Sequence, residues 1–347
     1  MALKVLTIKQ FEEWDAIVRS FKEYDVYWLS GYGKAFQLHG DGEPLLFYYE
    51  DKVTRGINVV MKRDVSWDAR FAGKIDKNTL FDFVTPYGYG GWIVEGDNTE
   101  CLFDSYFRWC QENNVVSEFV RYHPVLMNHM KSNSFYDVLA LGDTIALDLD
   151  SPETIWKNLS SKNRNMVRKA IKMGIVIYNG RYPQIFDEFR KIYNGTMDKN
   201  NAEVYYYFKP EFYESVMNDL PEEAQVFYAV LNGKVIAAAI ILAANGRLNY
   251  HLSGSLRKYQ NLASSNLLLY KAALWGCKNG CKTFHLGGGV GSSQDSLYKF
   301  KAAFYKGEPY RFNIGRKIYM QNQYDRLIAL REQSEIEGRG FFPMYRA

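Results

Sequence analysis

A short apolar strand that runs into three consecutive glycines and then into a helix is the feature that most constrains this chain. The segment reads FHLGGGVGSSQDSLYKFKAAF, Phe284–Phe304. The glycines at Gly287–Gly289 allow positive φ or a close approach of backbone, because they carry no Cβ. Ser292 and Asp295 resemble a helix-capping pair, which leaves N–H groups and the positive end of a helix dipole near the glycines. The segment is therefore predicted to border a binding site.

The helix after the glycines carries a lysine next to an apolar stripe. Leu297, Phe300 and Phe304 fall at helical spacing and are predicted to pack inward. Lys301 lies beside that stripe, so it is predicted to reach out of the wall of a cleft. The pattern suits an anionic or carbonyl-bearing substrate, and it differs from a Walker loop and from a dinucleotide fingerprint.

A second constellation is the basic helix Ser160–Gly174. Arg164, Arg168 and Lys172 are spaced to form one stripe, and no acidic residue stands four positions away to neutralise it. The inward face is predicted to consist of Met166, Val167, Ala170 and Met173. Two interpretations stay open: a solvated helix face, or a surface that binds phosphate.

These segments carry a family resemblance when they are taken with three others, namely TPYGYGGW (Thr85–Trp92), RYHP (Arg121–Pro124) and YHLSGS (Tyr250–Ser255). The chain resembles the Fem family of peptidoglycan-bridge aminoacyltransferases and the related BioF2-like GNAT-fold acyltransferases. The resemblance implies an α/β (α+β) fold of two tandem GNAT-like domains, with mixed sheets flanked by helices. The expected domains are residues 1–145, joined by a C-terminal helix at 317–347, and residues 146–316.

The resemblance also implies the reaction. An N-acyltransferase would form an amide on a cell-envelope precursor, with aminoacyl-tRNA as the donor and a nucleotide-linked muropeptide as the acceptor. The alternatives are acyl-CoA-dependent acylation of a sugar nucleotide or envelope saccharide, and a non-catalytic binding module of GNAT fold. No tightly bound cofactor and no metal is expected, and the oligomeric state is left open.

The donor prediction depends on the junction SLRKYQNLASSN, Ser255–Asn266. In acyl-CoA-dependent GNAT enzymes this junction carries a glycine-rich loop whose amides hold the CoA pyrophosphate at a helix N-terminus. The present sequence has no glycine there, which favours a donor held in another way, such as aminoacyl-tRNA.

Site residues follow from these segments. Lys301 is predicted to contact the carbonyl or oxyanion, with Phe300 shaping the pocket beside it. The predicted substrate-binding residues are Lys34, Tyr87, Tyr89, Arg121, His123, Arg164, Arg168, Tyr206, His251, Gly287, Gly288 and Gly289. Several of these residues have a structural alternative. For the histidines it is a structural residue whose hydrogen bonds are made within the protein, for Lys34 an exposed loop lysine, and for the tyrosine clusters an aromatic core.

Composition sets broader bounds. The net charge of +4 is too small to indicate a nucleic-acid binder by itself. The four cysteines, Cys101, Cys110, Cys277 and Cys281, match no common zinc or redox spacing, which favours free thiols in a reducing cytosol. The N-terminus lacks the apolar core of a signal peptide, and the longest apolar run is too short for a membrane helix. A cytoplasmic protein is expected.

Periodicity predicts the elements of the second half. The expected sequence begins with a strand at Asp143–Leu149, one helix at Pro152–Met173 and a strand at Ile175–Tyr178. It continues with a helix at Pro183–Asn194, a strand hairpin about Asn232-Gly233, a strand at Arg247–Leu252 and a helix at Ala263–Lys278. A last helix is expected at about Met320–Glu337.

Overall fold

The computed structural model describes residues 3–331 and 341–347. The chain forms two compact units, Met1–Leu141 with Phe312–Ala347, and Gly142–Arg311. The sequence-based limits of the domains, after residues 145 and 316, stay a prediction.

The secondary structure alternates strands and helices along both units. The strands are β1 (Lys4–Thr7), β2 (Glu43–Glu50), β3 (Arg55–Asp64), β4 (Phe81–Val84), β5 (Ile93–Glu95), β6 (Val115–Arg121), β7 (Asp137–Asp148), β8 (Val176–Gly180), β9 (Ala224–Leu231), β10 (Lys234–Ala244), β11 (Arg247–Ser255), β12 (Thr283–Gly287) and β13 (Tyr310–Ile318). The helices are α1 (Phe11–Ser20), α2 (Ser30–His39), α3 (Glu100–Glu112), α4 (Pro152–Asn158), α5 (Ser161–Lys172), α6 (Pro183–Lys199), α7 (Pro210–Asp219), α8 (Ser264–Lys278), α9 (Ser296–Ala302) and α10 (Gln321–Ala329).

The first unit is built on a mixed sheet in the order β1-β2-β3-β4-β6-β13, with β5 also paired to β3. Only β4 and β6 pair in parallel in this part of the structure. The β2–β3 hairpin turns at Asp51, whose carboxylate accepts from the N–H groups of Val53 and Thr54 at 2.8 Å each. The core against the sheet is aromatic, with Phe47, Trp92 and Tyr106 fully buried. The many aromatic residues of this half therefore serve mainly as core.

The second unit has the sheet order β7-β12-β11-β10-β9-β8. The β9–β10 turn places both Asn232 and Gly233 at positive φ, +50° and +75°, which is the geometry of a type I′ hairpin turn. Helices α5 and α8 pack on one face of this sheet, where the main apolar cluster lies. Helix α6 packs on β10 and β11, and a Cβ at Gly254 would lie 2.8 Å from the Ile192 carbonyl oxygen.

The predicted single helix at Pro152–Met173 was wrong. It is two helices, α4 and α5, separated at Leu159 and Ser160. Ser160 has extended backbone (φ −60°, ψ 155°), and its hydroxyl accepts from the Asn163 N–H at 3.1 Å. A serine that caps a new helix offers the backbone an alternative to continuing the old one, which periodicity alone does not register.

Other boundaries also differ from the sequence-based expectation. Strand β7 begins at Asp137, six residues before the predicted start, and α6 continues to Lys199. Met173 and Leu297, predicted to pack inward, are exposed. Lys34, whose structural alternative was an exposed loop lysine, lies within α2. The predicted last helix corresponds to α10, and the remainder of that prediction falls partly on residues 332–340, outside the described residues.

Over residues 3–331 and 341–347, no helix combines the length and the apolar character that crossing a bilayer requires.

Candidate active site

The second unit contains an opening where two neighbouring parallel strands separate. Across the described chain, β11 and β12 pair only from Arg247–Thr283 to Asn249–His285. Beyond that point β11 continues to Ser255 and β12 to Gly287 without pairing to each other. Strand backbone that leaves a ladder exposes N–H and C=O groups that need other partners, so the opening is suited to hold an extended substrate.

A bulge in β11 lies at the mouth of this opening. Ile240 pairs with Leu252 and Ile241 pairs with Tyr250, so His251 is an extra residue in β11. Past the bulge, the Leu256 N–H donates to Ile236 in β10 at 2.9 Å, while the Ser255 N–H donates to the Thr196 hydroxyl at 3.0 Å. Because successive residues of a strand point alternately to its two sides, the N–H and C=O of Ser253 point away from β10 and toward the opening.

Lys301 enters the same opening from α9. Its side chain is buried, and its Nζ donates to the Gly288 carbonyl oxygen at 2.7 Å, directly after β12. The Nζ also lies 6.0 Å from the centre of the Tyr250 ring, on β11. Burial lowers the pKa of Lys301 to about 8, and the nearby Asp295 carboxylate opposes that effect. The ammonium group thus lies between the ends of the two strands, and one of its three N–H bonds is used by the Gly288 carbonyl.

The glycines before α9 are required by packing within the protein. A Cβ at Gly288 would lie 2.8 Å from the Asp143 carbonyl oxygen, and one at Gly289 would lie 2.1 Å from the Ser293 carbonyl oxygen and 2.4 Å from Asp295 Oδ1. Gly287 has φ +80°, in the left-handed region. The close approaches at Gly288 and Gly289 leave no room for a side chain in the loop that presents the Gly288 carbonyl to Lys301. The glycines therefore shape the site through packing within the protein.

Asp295 links this loop to the helix. It is the N-cap of α9, and its Oδ1 accepts from the Tyr298 N–H at 2.8 Å while its Oδ2 accepts from the Val290 N–H at 3.3 Å. Ser292, the predicted capping partner, instead lies in a 3-10 turn at φ +62°. That part of the capping prediction was wrong because the cap residue is Asp295 itself.

The walls of the opening are aromatic and weakly polar. Phe300 is half-buried and lies edge-on to Phe304, with ring centres 5.5 Å apart. Burial raises the pKa of the Tyr250 hydroxyl, against the effect of its hydrogen bond with Ser253. Burial lowers the pKa of His251 to about 3, so this imidazole is neutral near pH 7. His251 therefore has no positive charge to offer an anion there.

A cavity of about 80 Å³ lies beside Tyr250 and reaches the first turn of α8 at Ser265. Ser253 and Ser255 line it from β11, and Thr196 lines it from α6.

The basic helix α5 uses part of its charge within the protein. Arg164 donates to the Leu159 carbonyl oxygen at 2.8 Å, at the break after α4. The Arg168 guanidinium lies 5.1 Å from the centre of the Trp156 ring. Lys169 donates to the Asn261 carbonyl oxygen at 2.7 Å, which ties α5 to the 3-10 helix Arg257–Leu262. Tyr206 is half-buried in a separate 3-10 turn, with its ring edge-on to Tyr205.

In the first unit, the predicted substrate loop Thr85–Trp92 is held by Arg121. The guanidinium donates at 3.2 Å to the carbonyl oxygens of Thr85, Pro86 and Gly88. Gly88 has φ +98°, and a Cβ there would lie 2.6 Å from the Tyr27 ring. Arg121 therefore holds the loop in place through three of its carbonyl groups.

The tyrosines of that loop are half-buried among other rings. Tyr87 stacks on Phe36 with ring centres 5.8 Å apart, and Tyr89 lies edge-on to Tyr27 at 5.5 Å. Burial raises the pKa of Tyr89, so its hydroxyl keeps its proton and can donate.

His123 lies after the end of β6 and is buried. Its Nδ1 accepts from the Leu126 N–H at 3.2 Å, so the ring proton is on Nε2, which donates to Asp25 at 3.0 Å. Both ring nitrogens are thus engaged within the protein. Lys34 is half-buried on α2.

Among the predicted residues of the second unit, the structure brings Lys301, Phe300, the glycines and His251 to one opening. Two residues of that opening were not selected from the sequence, Tyr250 and Ser253. Both belong to the motif YHLSGS. The signal for them would have been a β-bulge in that motif, because a bulge changes which side chains of a strand point to each face. Within the described ranges, no group of three His, Cys, Asp or Glu side chains has the arrangement of a metal site.

Comparison with known proteins gives the class of the domain that contains this opening. Residues 158–302 match the family model of the acetyltransferase (GNAT) domain. The matched segment runs from the last residue of α4 to the last residue of α9 and contains Lys301 and the opening. The chain carries a GNAT acyltransferase domain. No curated protein sequence matches it.

Solved structures extend the similarity to about nine tenths of the chain. The crystal structure of FemX has a TM-score of 0.70 and 13% identity, over 93% of this chain and 99% of FemX. A conserved protein of unknown function from Bacteroides thetaiotaomicron has a TM-score of 0.59 and 9% identity, over 91% and 99% of the two chains. The C-terminal domain of a putative lysylphosphatidylglycerol synthetase from Agrobacterium fabrum has a TM-score of 0.54 and 14% identity, over 89% and 91%. The predicted fold class and the resemblance to the Fem fold are confirmed.

Proposed function

We propose that this acyltransferase moves an aminoacyl group from aminoacyl-tRNA to a primary amine of a nucleotide-linked cell-wall precursor. The donor assignment rests on one observation, the conformation of the segment between β11 and α8. Arg257–Leu262 forms a 3-10 helix, in which the N–H groups from Tyr259 onward bond to carbonyls three residues back. Amides used in this way are not free to surround the pyrophosphate of CoA.

The charge of the segment supports the same conclusion. It carries Arg257 and Lys258, both exposed, and it contains no acidic residue. A basic surface without a built pyrophosphate cradle suits an extended phosphate backbone such as that of tRNA.

The chemistry requires a group that stabilises an oxyanion. In the proposed reaction the acceptor amine attacks the ester carbonyl of the donor, and a C–N bond forms as the carbonyl oxygen gains negative charge. The Lys301 ammonium donates to that oxygen, and the Ser253 N–H faces the same opening. When the tetrahedral intermediate collapses, the C–O bond to the terminal ribose breaks and the ribose oxygen takes the proton that the amine loses. An ester is already activated, so orientation and charge stabilisation are the main requirements.

The acceptor side of the proposal concerns the first unit. Its loop Thr85–Trp92 offers the half-buried tyrosines Tyr87 and Tyr89, whose rings and hydroxyls suit a sugar or nucleotide. Lys34 is the proposed phosphate contact. Arg121 and His123 act through the loop and its surroundings, because their polar groups are engaged inside the protein.

A second candidate is acyl-CoA-dependent transfer. It is favoured by the match to an acetyltransferase domain model and by the cavity that reaches the first turn of α8. A helix N-terminus attracts phosphate. In that case the thioester would occupy the same opening, and Lys301 would have the same role.

The experiment compares donors directly. Purified protein is incubated with a nucleotide-linked muropeptide and either a mixture of aminoacyl-tRNAs or a set of acyl-CoAs, and the acceptor is analysed by mass spectrometry. The proposal expects a mass increase of one aminoacyl residue with aminoacyl-tRNA, abolished when the tRNA is deacylated beforehand. Transfer from acyl-CoA alone would replace the proposed donor with the second candidate. No modification with either donor, when the protein is folded, would contradict both.

A further inference from the structure

The exposed apolar side chains of the second unit are concentrated in one short segment. Of the eighteen large hydrophobic side chains that are exposed in the described residues, five lie between positions 171 and 182. They are 45% to 53% exposed, and they are Ile171, Met173, Val176, Tyr178 and Tyr182. Exposed apolar side chains that lie close together mark an interaction surface more often than single exposed residues do. We refer to these five side chains as the apolar segment.

The surroundings of the apolar segment are positively charged. From Ser161 to Tyr182 the chain contains six Lys or Arg residues and no Asp or Glu. Arg168, Lys169 and Lys172 are exposed on the last turns of α5, directly before and within the apolar segment. Arg181 is held inside the protein, where it donates to the Ala224 carbonyl oxygen at 2.9 Å, so it does not contribute to this surface charge.

The segment has a defined structure. Ile171 and Lys172 end α5, and Met173 is its C-cap residue. Gly174 then turns the chain at φ +78°, and β8 follows as the last strand of its sheet. The Tyr178 ring stacks on Tyr228 with ring centres 5.7 Å apart, and the Tyr182 hydroxyl lies 2.9 Å from that of Tyr228. The tyrosines are therefore supported from within the sheet while about half of each remains exposed.

We propose that the corner formed by the end of α5 and the start of β8 docks on an anionic lipid bilayer. Aliphatic side chains gain free energy when they leave water for the acyl boundary, and tyrosine is enriched at the level of the headgroups. The adjacent lysines and Arg168 attract anionic headgroups, which supplies charge complementarity without an acidic residue to oppose it. A bound RNA would also pair with the basic side chains, but it would leave Ile171, Met173 and Val176 without an apolar environment. Docking here would hold the acyltransferase at the membrane surface, whichever donor it uses.

The test is cosedimentation of the full chain with vesicles of phosphatidylcholine, with and without phosphatidylglycerol. The wild-type protein should bind only the vesicles that contain phosphatidylglycerol, and less at high salt. The double variant Ile171→Ser with Met173→Ser should lower the partition coefficient about tenfold or more, because two apolar side chains no longer insert. Lys172→Gln should lower it about fivefold. Tyr178→Ser removes an exposed ring from β8 and should lower the partition coefficient as well.

Matched controls lie outside the segment. Val204→Ser removes an apolar side chain that is 87% exposed, and Lys77→Gln removes an exposed charge. Neither should change vesicle binding, and melting curves should show every variant folded. Failure of the wild type to bind phosphatidylglycerol vesicles would overturn the proposal, as would equal losses in the controls. Binding of bulk tRNA that falls equally in the Ile171/Met173 variant would instead identify an RNA surface and also overturn it.

Discussion

The two units each bury an ionisable side chain, and they treat it in opposite ways. In the first unit, Glu118 is fully buried and accepts four hydrogen bonds. Its donors are the hydroxyl groups of Tyr319, Tyr136 and Tyr106 and the amide of Asn58. In the second unit, Lys301 is buried with one carbonyl acceptor among the described residues, that of Gly288. Glu118 is saturated by the protein, whereas Lys301 is not.

This difference separates a structural group from a candidate catalytic one. A buried polar group that has all its partners stabilises one core arrangement, and it has no capacity left for a ligand. A buried ammonium that has one protein acceptor among the described residues can gain a further partner when negative charge appears beside it. We therefore propose Lys301, and not Glu118, as the group that acts on the substrate.

The largest expected effect comes from Lys301→Met, which keeps the length of the side chain and removes its charge. Turnover should fall by about 10²–10³, the loss expected for one oxyanion contact, while acceptor affinity changes little. Stability at pH 7 should not fall, since the substitution removes a charge whose burial costs up to about 3 kcal/mol. Single-turnover rates and urea unfolding measure the two quantities.

Lys299→Met is the matched control, because Lys299 is exposed on the same helix. It should leave turnover unchanged. If Lys301→Met raises KM with kcat intact, Lys301 anchors the acceptor, and if neither constant changes, it is a packing residue.

Glu118→Gln should have the converse phenotype. The amide cannot accept from three tyrosine hydroxyls as the carboxylate does, so the free energy of unfolding should fall by about 2–3 kcal/mol. Turnover of the folded protein should be unchanged. Chemical denaturation measures the first and initial rates the second, with Glu112→Gln, at the exposed end of α3, as the control. A stable Glu118→Gln variant with lost activity would show that the comparison between the two buried groups is mistaken.

The pH dependence of stability sharpens this prediction. Burial raises the pKa of Glu118 above its ordinary value of 4.5. The folded state therefore keeps the proton at pH values where the unfolded chain has lost it. The stability that this bound proton adds is fully present below about pH 4.5. It is lost as the pH rises through the pKa of Glu118 in the folded protein. The Gln variant should lack this dependence.

Much of the fold could be predicted from the sequence because its signals are local. The hairpin at Asn232-Gly233 is specified by two residues that tolerate positive φ, and helix α8 is a long apolar segment without glycine or proline in its first three turns. The break between α4 and α5 was missed because Ser160 acts as a cap within an otherwise helical pattern. Helix α7 was missed, although Pro210 stands at its first turn.

The site was less accessible from the sequence because it depends on contacts between distant segments. Lys301 could be selected as a lysine beside an apolar stripe, but its burial results from β11 and the Gly288 loop, which one helix does not reveal. The basic stripe was read as one charged surface, whereas Arg164 is engaged by the Leu159 carbonyl. His123 looked available because its partner Asp25 is 98 residues away in the chain.

The last prediction uses the pH dependence of turnover to test the charge on Lys301. Burial lowers its pKa from 10.5 to about 8, so the ammonium is the main form at pH 7 and is lost as the pH rises through 8. If the ammonium stabilises the oxyanion, turnover should fall about tenfold per pH unit above 8. A neutral Lys301 acting as general base would give the opposite profile, rising to a plateau above pH 8. Initial rates measured over short times separate transfer from alkaline hydrolysis of the donor ester.

The acceptor amine also loses a proton in this range, and its effect has the opposite sign because only the neutral amine attacks. Lys301→Arg separates the two contributions, since a guanidinium stays protonated at every pH of the experiment. The Arg variant should show the rise that belongs to the acceptor and no fall above pH 8. Dividing the wild-type profile by that of the variant then isolates the titration of Lys301. A ratio that is flat between pH 7 and 9.5 would mean that the charge of the buried lysine has no part in transfer.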